Sequence, residues 1–338
     1  MVVQAERRVP SRNTVEPSTL EGMRERKKPC VLVIAGPTGV GKTAVAVALA
    51  RRASIEVISA DSRQVYRGMD AATGKPTREE RLAVVHHLID AVEPDDRYQA
   101  ARFRSDAAGL VEAIHARGRL PVIVGGTGLY IRALVRGLDA APAADPAFRR
   151  ELSSLARREG RVALHRRLAV AAPEVAQRLH PNDEVRVVRA LEIVRARGSV
   201  ALEPERAWRA EGPYDVLYVG LTAERESLAR RLRARAAAFV GAGLLDEVRA
   251  LLARGYDPAL PSLSSIGYRE FVRVARGVLS PAEALRRMQR DTVRYAKRQW
   301  TWFQREPDVE WIDVGAEGAI EDAARRIEAR LSEEGVLA

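Results

Sequence analysis

The apolar run Cys30–Ala35 (CVLVIA) passes directly into GPTGVGKT, Gly36–Thr43, and the chain then continues with helical spacing from Ala44 to Arg52. Few folds accept that order. A short, continuous apolar run bounded by glycine suits a strand covered on both faces. Glycines after it let backbone N–H groups turn inward at a helix N-terminus, where peptide dipoles add partial positive charge. The loop Gly36, Pro37, Thr38, Gly39, Val40, Gly41, Lys42 and Thr43 matches the full phosphate-loop pattern, in the strand–turn–helix setting its mechanism needs. Lys42 is placed to reach terminal phosphate oxygens and the Thr43 hydroxyl to ligate Mg²⁺. The loop alone does not say which phosphate compound binds.

Further apolar runs follow at 55–59 (IEVIS), 86–90 (HHLID), 120–124 (LPVIV), 214–221 (YDVLYVGL) and 309–314 (VEWIDV), with an amphipathic helix at about 98–117. Strand, turn and helix in repetition predict an α/β fold: a P-loop NTPase-like, doubly wound parallel sheet. Between 139 and 210 the chain turns Ala/Arg-rich and helical, broken at Pro142, Pro173 and Pro181. A helical stretch between two strands of one sheet reads as an inserted all-helical domain. The expected organisation is a disordered tail at 1–28, an α/β core at 29–138 and 211–315 with helical C-terminal parts, the insertion at 139–210, and a last helix or tail at 316–338.

Asp61 ends the second strand, and GGTGLY, Gly125–Tyr130, ends another. Sheets of this kind collect ligands at the carboxyl ends of their strands, so loops 36–43, 61–66 and 125–130 can form one composite site. Asp61 could hold magnesium through water, take a proton from a nucleophile, or simply cap a helix.

Lys and Arg total 56 against 45 Asp and Glu, a net charge of +11. Such a balance favours a polyanionic partner, although an Arg-rich bias spread over helix surfaces gives the same sum. Between Arg286 and Arg305 seven basic residues face one acid, Asp291. Arg287, Arg290, Arg294 and Arg298 share one helix face, while Met288, Tyr295 and Trp302 recur every seven residues on another and read as core. A single cysteine, Cys30, excludes an internal disulfide and fits a reducing compartment. No apolar run is long enough to span a bilayer, and the first residues lack a secretory core. The expectation is a cytoplasmic monomer.

GPTGVGKT, ISADSRQVYRGMD with TGKP behind it, HHLID, VGGTGLY, HPNDEVRVVRALE, SIGYRE and RYAKRQWTW occur in order. Seven ordered motifs over about residues 30–313 resemble the tRNA dimethylallyltransferase family. The resemblance implies that the P-loop holds the diphosphate of dimethylallyl diphosphate with Mg²⁺ and that ATP is not consumed. Lys42 and Thr43 would stabilise the departing diphosphate, Asp61 would act as general base on an adenine N6 amine, and Thr127 would hydrogen-bond near the reacting centre. The implied target is the adenosine 3′ of the anticodon in tRNAs reading U-starting codons, extruded into a channel. Ser62, Arg63 and Gln64 would line that channel beside Asp61 and Thr127. Arg149 and the segment Val185, Arg186, Val187, Val188, Arg189 would also meet the tRNA. The basic helix adds Arg294, Lys297 and Arg298. Which of Arg225, Arg231 and Arg235 assists Lys42 stays open. Gly74 stands where many relatives carry alanine, a change expected to be harmless, and the lack of a Cys/His extension fits the short bacterial form. Competing readings are an adenylate isopentenyltransferase, a P-loop small-molecule kinase, and an RNA-binding module without chemistry.

Overall fold

A computed structural model describes residues 28–138, 142, 145–198 and 212–337. The expected disordered tail, apart from Lys28, lies outside the described residues. In β1, Cys30–Ala35, every residue is buried, and side chains alternate between two cores. Val31, Val33 and Ala35 join one apolar cluster, Cys30, Leu32 and Ile34 the other. A strand packed on both faces needs no polar side, which is why the run is continuously apolar. β2, Ile55–Ala60, and β4, Leu120–Gly125, are buried throughout as well, β2 enclosing the polar Glu56 and Ser59. Between them in sequence comes β3, His86–His87; β5, Asp215–Thr222, and β6, Glu310–Asp313, complete the sheet. All pairings are parallel, in the order β3-β2-β4-β1-β5-β6.

The expected strand at 86–90 shrinks to two residues for a conformational reason. Leu88 and Asp90 take positive φ, 60° and 54°, which extended chain cannot have. The Asp90 carboxylate instead meets Lys75 and Arg81, tying this edge to the loop that follows β2.

One face of the sheet is covered by α1, Lys42–Ala50, and the C-terminal helix, whose Ala323, Ala324, Ile327 and Leu331 share the α1 core. The helices of the other face matter more for the site. In chain order they follow α2, Arg78–Ala83, and are α3, Ala100–Ala116, and α4, Gly128–Val135. After β5 come α9, Arg225–Gly241; α10, Leu244–Ala253; α11, Tyr268–Ala275; and the long α12, Pro281–Phe303. A buried ion pair, Arg132 with Glu306, joins α4 to the chain just beyond α12, and the Arg132 guanidinium stacks 4.5 Å over the Trp302 ring.

The chain separates into two compact units. One takes in the chain to Val135 and from Gly212 onward, the other Arg136–Glu211. In the second unit α5, Pro146–Glu159, α6, Arg161–Ala171, α7, Pro173–Arg178, and α8, Glu184–Arg197, enclose a core of Phe148, Leu152, Leu164, Leu168, Val187 and Leu191. Pro146 and Pro173 sit in the first turn of their helices, where the missing N–H is not needed. No helix among the described residues is long and apolar enough to cross a membrane.

Candidate active site

The carboxyl ends of β1, β2 and β4 are neighbours in the sheet, so the loops that leave them meet. Gly36, Gly39 and Gly41 hold φ of 145°, 74° and 119°, values that side chains resist, and these shape the loop into α1. Pro37 and Thr38 form its bend, while the Val40 side chain is fully buried and acts as an anchor. The Lys42 Nζ donates to the carbonyls of Gly36 and Pro37 at 3.0 and 2.9 Å. Lys42 as a residue keeps some exposed surface, but its ammonium is enclosed. Burial lowers its pKa to about 8, with Asp61 opposing the fall and Arg235 reinforcing it.

A cavity of about 470 Å³ opens on this loop, with Lys42, Thr43, Asp61, Gln64, Arg231 and Arg235 in its wall. A second chamber of about 340 Å³ carries Asp61, Ser62, Arg63, Tyr295 and Arg298. Asp61, Thr38 and Arg235 belong to both walls, so the two spaces adjoin. Asp61 Oδ1 accepts the backbone N–H groups of Arg63 and Gln64 at 2.8 and 3.3 Å. The capping interaction allowed by the sequence therefore exists, but it caps a turn rather than a helix. It uses one carboxylate oxygen and fixes the direction of the other.

Thr127 orients this arrangement: its Oγ1 accepts the Ser62 N–H at 3.1 Å, and its own N–H donates to the Ala60 carbonyl at 3.2 Å. Gln64 bridges to the next loop, accepting from the Ser59 hydroxyl and donating to the Gly74 carbonyl at 2.8 Å. The Arg63 guanidinium donates to the Pro261 carbonyl at 2.8 Å.

Of the three candidate arginines, Arg231 and Arg235 line the cavity on the Gly36–Thr43 loop, whereas Arg225 stacks on Trp300, 4.1 Å from its ring centre. Gly74 stands against Arg235: it has φ of 62°, and a Cβ on it would lie 1.7 Å from Arg235 Nη2, so alanine here would move the flexible end of that side chain.

Two site residues escaped the sequence reading. Tyr295, read as core, lines the chamber, where burial first and then Asp61 push its pKa up to about 12. Gln299 is buried and bridges the P-loop and the Thr127 loop.

The basic face of α12 is less bare than its sequence. Glu283 takes Arg286 and Arg287, and Asp291 takes Arg290 and, at 3.7 Å, Arg294. Arg298 is exposed at the chamber, and Lys297 lines a separate cleft with Arg225 and Trp300.

In the helical unit, Val185 and Arg186 are exposed and Val188 is half-buried. Val187 is completely buried in the unit's core, so the expectation that its side chain meets RNA is corrected to a packing role. Arg149 and Arg189 both bind Glu192, and Arg189 also donates to the Pro142 carbonyl at 2.7 Å. These arginines hold the unit together through their charge.

The IPP transferase family model matches residues 64–306, and the isopentenyl transferase model matches residues 29–90. A tRNA dimethylallyltransferase of Geobacter metallireducens is 47% identical over 292 residues, 86% of this chain and 94% of that protein. One from Anaeromyxobacter sp. (strain Fw109-5) is 50% identical over 300 residues, covering 88% and 98%. The crystal structure of a full-length tRNA isopentenylpyrophosphate transferase from Bacillus halodurans superposes with a TM-score of 0.67 at 40% identity, covering 91% of this chain and 98% of that one. A eukaryotic dimethylallyltransferase acting on tRNA superposes at 0.73 with 27% identity, covering 90% and 79%. With the phosphate loop, the Asp61 turn and the Thr127 turn assembled at one sheet edge, the chain belongs to the IPP transferase family.

Proposed function

We propose that the protein transfers a dimethylallyl group from dimethylallyl diphosphate to N6 of the adenosine 3′ of the anticodon in tRNAs reading U-starting codons. The observation that carries this is the position of Asp61, on the wall common to the phosphate cavity and the second chamber. The diphosphate lies on the P-loop, met by Lys42, Arg231 and Arg235, and the flipped adenine enters the chamber lined by Ser62, Arg63 and Tyr295. This is a P-loop NTPase-like core whose loop holds a leaving group, with the helical unit as an insertion that meets tRNA.

An exocyclic amine is a weak nucleophile because its lone pair is delocalised into the ring. The N6 lone pair attacks C1 of the allyl group while the C1–O bond breaks and its electron pair leaves with the diphosphate. The N6 proton passes to the free oxygen of Asp61. Fixed cationic donors meet the growing charge on the diphosphate without reorganising.

Mg²⁺ characteristically takes one or two protein oxygens and completes its shell with phosphate oxygens and water. The Thr43 hydroxyl lines the phosphate cavity and suits such a site, which leaves the free Asp61 oxygen to take the N6 proton. Among the described residues no group of three or more His, Cys, Asp or Glu forms a separate metal centre. When bound, the ion supplies charge neutralisation to the diphosphate.

The test is incubation with dimethylallyl diphosphate, Mg²⁺ and unmodified tRNA, followed by nucleoside mass analysis. Prenylated adenosine should appear at a single site. Asp61→Asn should slow turnover by about 10²- to 10⁴-fold while tRNA binding persists. ATP hydrolysis without prenylation would support the kinase reading, and prenylation of free adenylate alone would support the adenylate isopentenyltransferase.

A further inference from the structure

Gln299 is 6% exposed, a depth at which an amide needs its hydrogen bonds made. Both of its ends are used, far along the chain. Oε1 accepts the Thr38 N–H of the P-loop at 2.9 Å, and Nε2 donates to the Gly126 carbonyl at 2.8 Å. One side chain thus ties the loop on the diphosphate side to the loop that carries Thr127. The approach is close: a Cβ on Gly126 would stand 2.2 Å from Nε2, so glycine makes the room that the amide fills. The same helix face continues in both directions. Tyr295, one turn earlier, lines the chamber together with Asp61, and Trp302, one turn later, presses on Gly128, where a Cβ would lie 2.1 Å from Nε1.

We propose that Gln299 is a positioning residue that holds the P-loop and the Thr127 loop in register, setting the separation of the donor's allylic carbon and the acceptor nitrogen. The inference rests on the transfer reaction above. The two reactants are gripped by different loops, so their alignment is only as good as the tie between those loops, and a misplacement of about 1 Å costs on the order of 100-fold in rate. An amide suits the task because it presents one acceptor and one donor in fixed geometry. A carboxylate in its place can still accept from Thr38, but its second oxygen would oppose the Gly126 carbonyl unless protonated.

Gln299→Leu and Gln299→Glu are assayed for tRNA prenylation beside the wild type. In Gln299→Leu, kcat should fall about 10- to 100-fold, with KM for dimethylallyl diphosphate and for tRNA within about threefold of wild type. Gln299→Glu should be slow at pH 8 and recover relative to wild type toward pH 6, as its buried carboxyl, with a raised pKa, gains the proton that restores the donor. An unchanged kcat in Gln299→Leu, or a loss confined to KM, overturns the proposal. If Gln299→Leu does not fold, Gln299→Glu decides, and a pH profile parallel to wild type overturns it. A wild type that prenylates no tRNA sinks the reaction assignment itself and this role with it.

Discussion

Binding of the donor should take up a proton at alkaline pH, and Lys42 is the group that makes it do so. In the free protein the ammonium is enclosed against the Gly36 and Pro37 carbonyls, and burial brings its pKa from 10.5 to about 8. At about 1.4 kcal/mol per pKa unit, that shift corresponds to about 3 kcal/mol of penalty on the charged form. A diphosphate beside the ammonium supplies the opposite charge it lacks and should restore its pKa toward the ordinary lysine range. The bound pKa then exceeds the free one, so affinity is full below pH 8 and declines as pH rises through it. Near pH 7 the uptake is about 0.1 proton, and near pH 9 about 0.9, with affinity about tenfold weaker at pH 9. The terminal phosphate of dimethylallyl diphosphate has its last ionisation near pH 6, so the ligand itself is almost silent in this range. Titration calorimetry at fixed Mg²⁺, in two buffers with different heats of ionisation, reads the uptake directly. Lys42→Arg keeps its charge throughout and should bind with little pH dependence. A wild-type affinity that stays flat from pH 7 to 9 with no buffer-dependent heat would refute the enclosed ammonium as the main anion contact.

Three further outcomes follow from particular contacts. In the helical unit, burial opposes the charge on Glu192, but Arg149, the Asp145 N–H and Arg189 outweigh it and hold its pKa at about 2. That lowered value contributes stability present above the ordinary carboxyl range and lost as pH falls from about 4.5 toward 2, so Glu192→Gln should destabilise the unit by about 2 kcal/mol at pH 7 and much less at pH 3 in thermal melts. Removing one member of the buried Arg132–Glu306 pair, as in Arg132→Met, should cost about 3–5 kcal/mol by denaturant unfolding, with part regained when Glu306→Gln is added. Gly74→Ala should lower stability by about 1 kcal/mol through its left-handed φ and raise KM for dimethylallyl diphosphate several-fold, because the new methyl occupies the place of the Arg235 guanidinium. Equal KM values would show that Arg235 can work from another rotamer.

What was legible in the sequence was local in the chain. The P-loop, the Asp61 turn and the Thr127 turn each follow an apolar strand directly, so a short stretch of residues fixes both their conformation and the sheet edge where they emerge. The parallel sheet was equally legible, since double burial leaves continuous apolar runs in β1 and β4 and a mostly apolar one in β2. What stayed hidden lies in the helices. The basic stripe of α12 is partly neutralised from the helix's own first turn, where Glu283 takes Arg286 and Arg287. Val187 differs from exposed Val185 by its spacing, since Val187, Ala190, Leu191 and Val194 share one helix face and turn it into the core of the unit.

Tyr295 illustrates the limit of periodicity most sharply. A strict seven-residue repeat drifts by about 20° per heptad on a straight helix, and the surface beneath the helix also changes along its length. Met288, 2% exposed in the core, and half-buried Tyr295, seven residues on, both line the chamber, but only Tyr295 stands beside the exposed Arg298 at its mouth. The long α12 serves two ends: its outer residues Arg294 and Arg298 present charge to solvent, while Tyr295 lines the chamber and Gln299 ties the Thr38 and Gly126 loops. Under the proposed function, one helix would carry both sets, and RNA binding along its outer face would act on the element that carries Gln299. Binding of tRNA and alignment of the donor are therefore expected to be coupled, and Gln299→Leu should weaken that coupling: tRNA should change donor affinity less in the variant than in wild type.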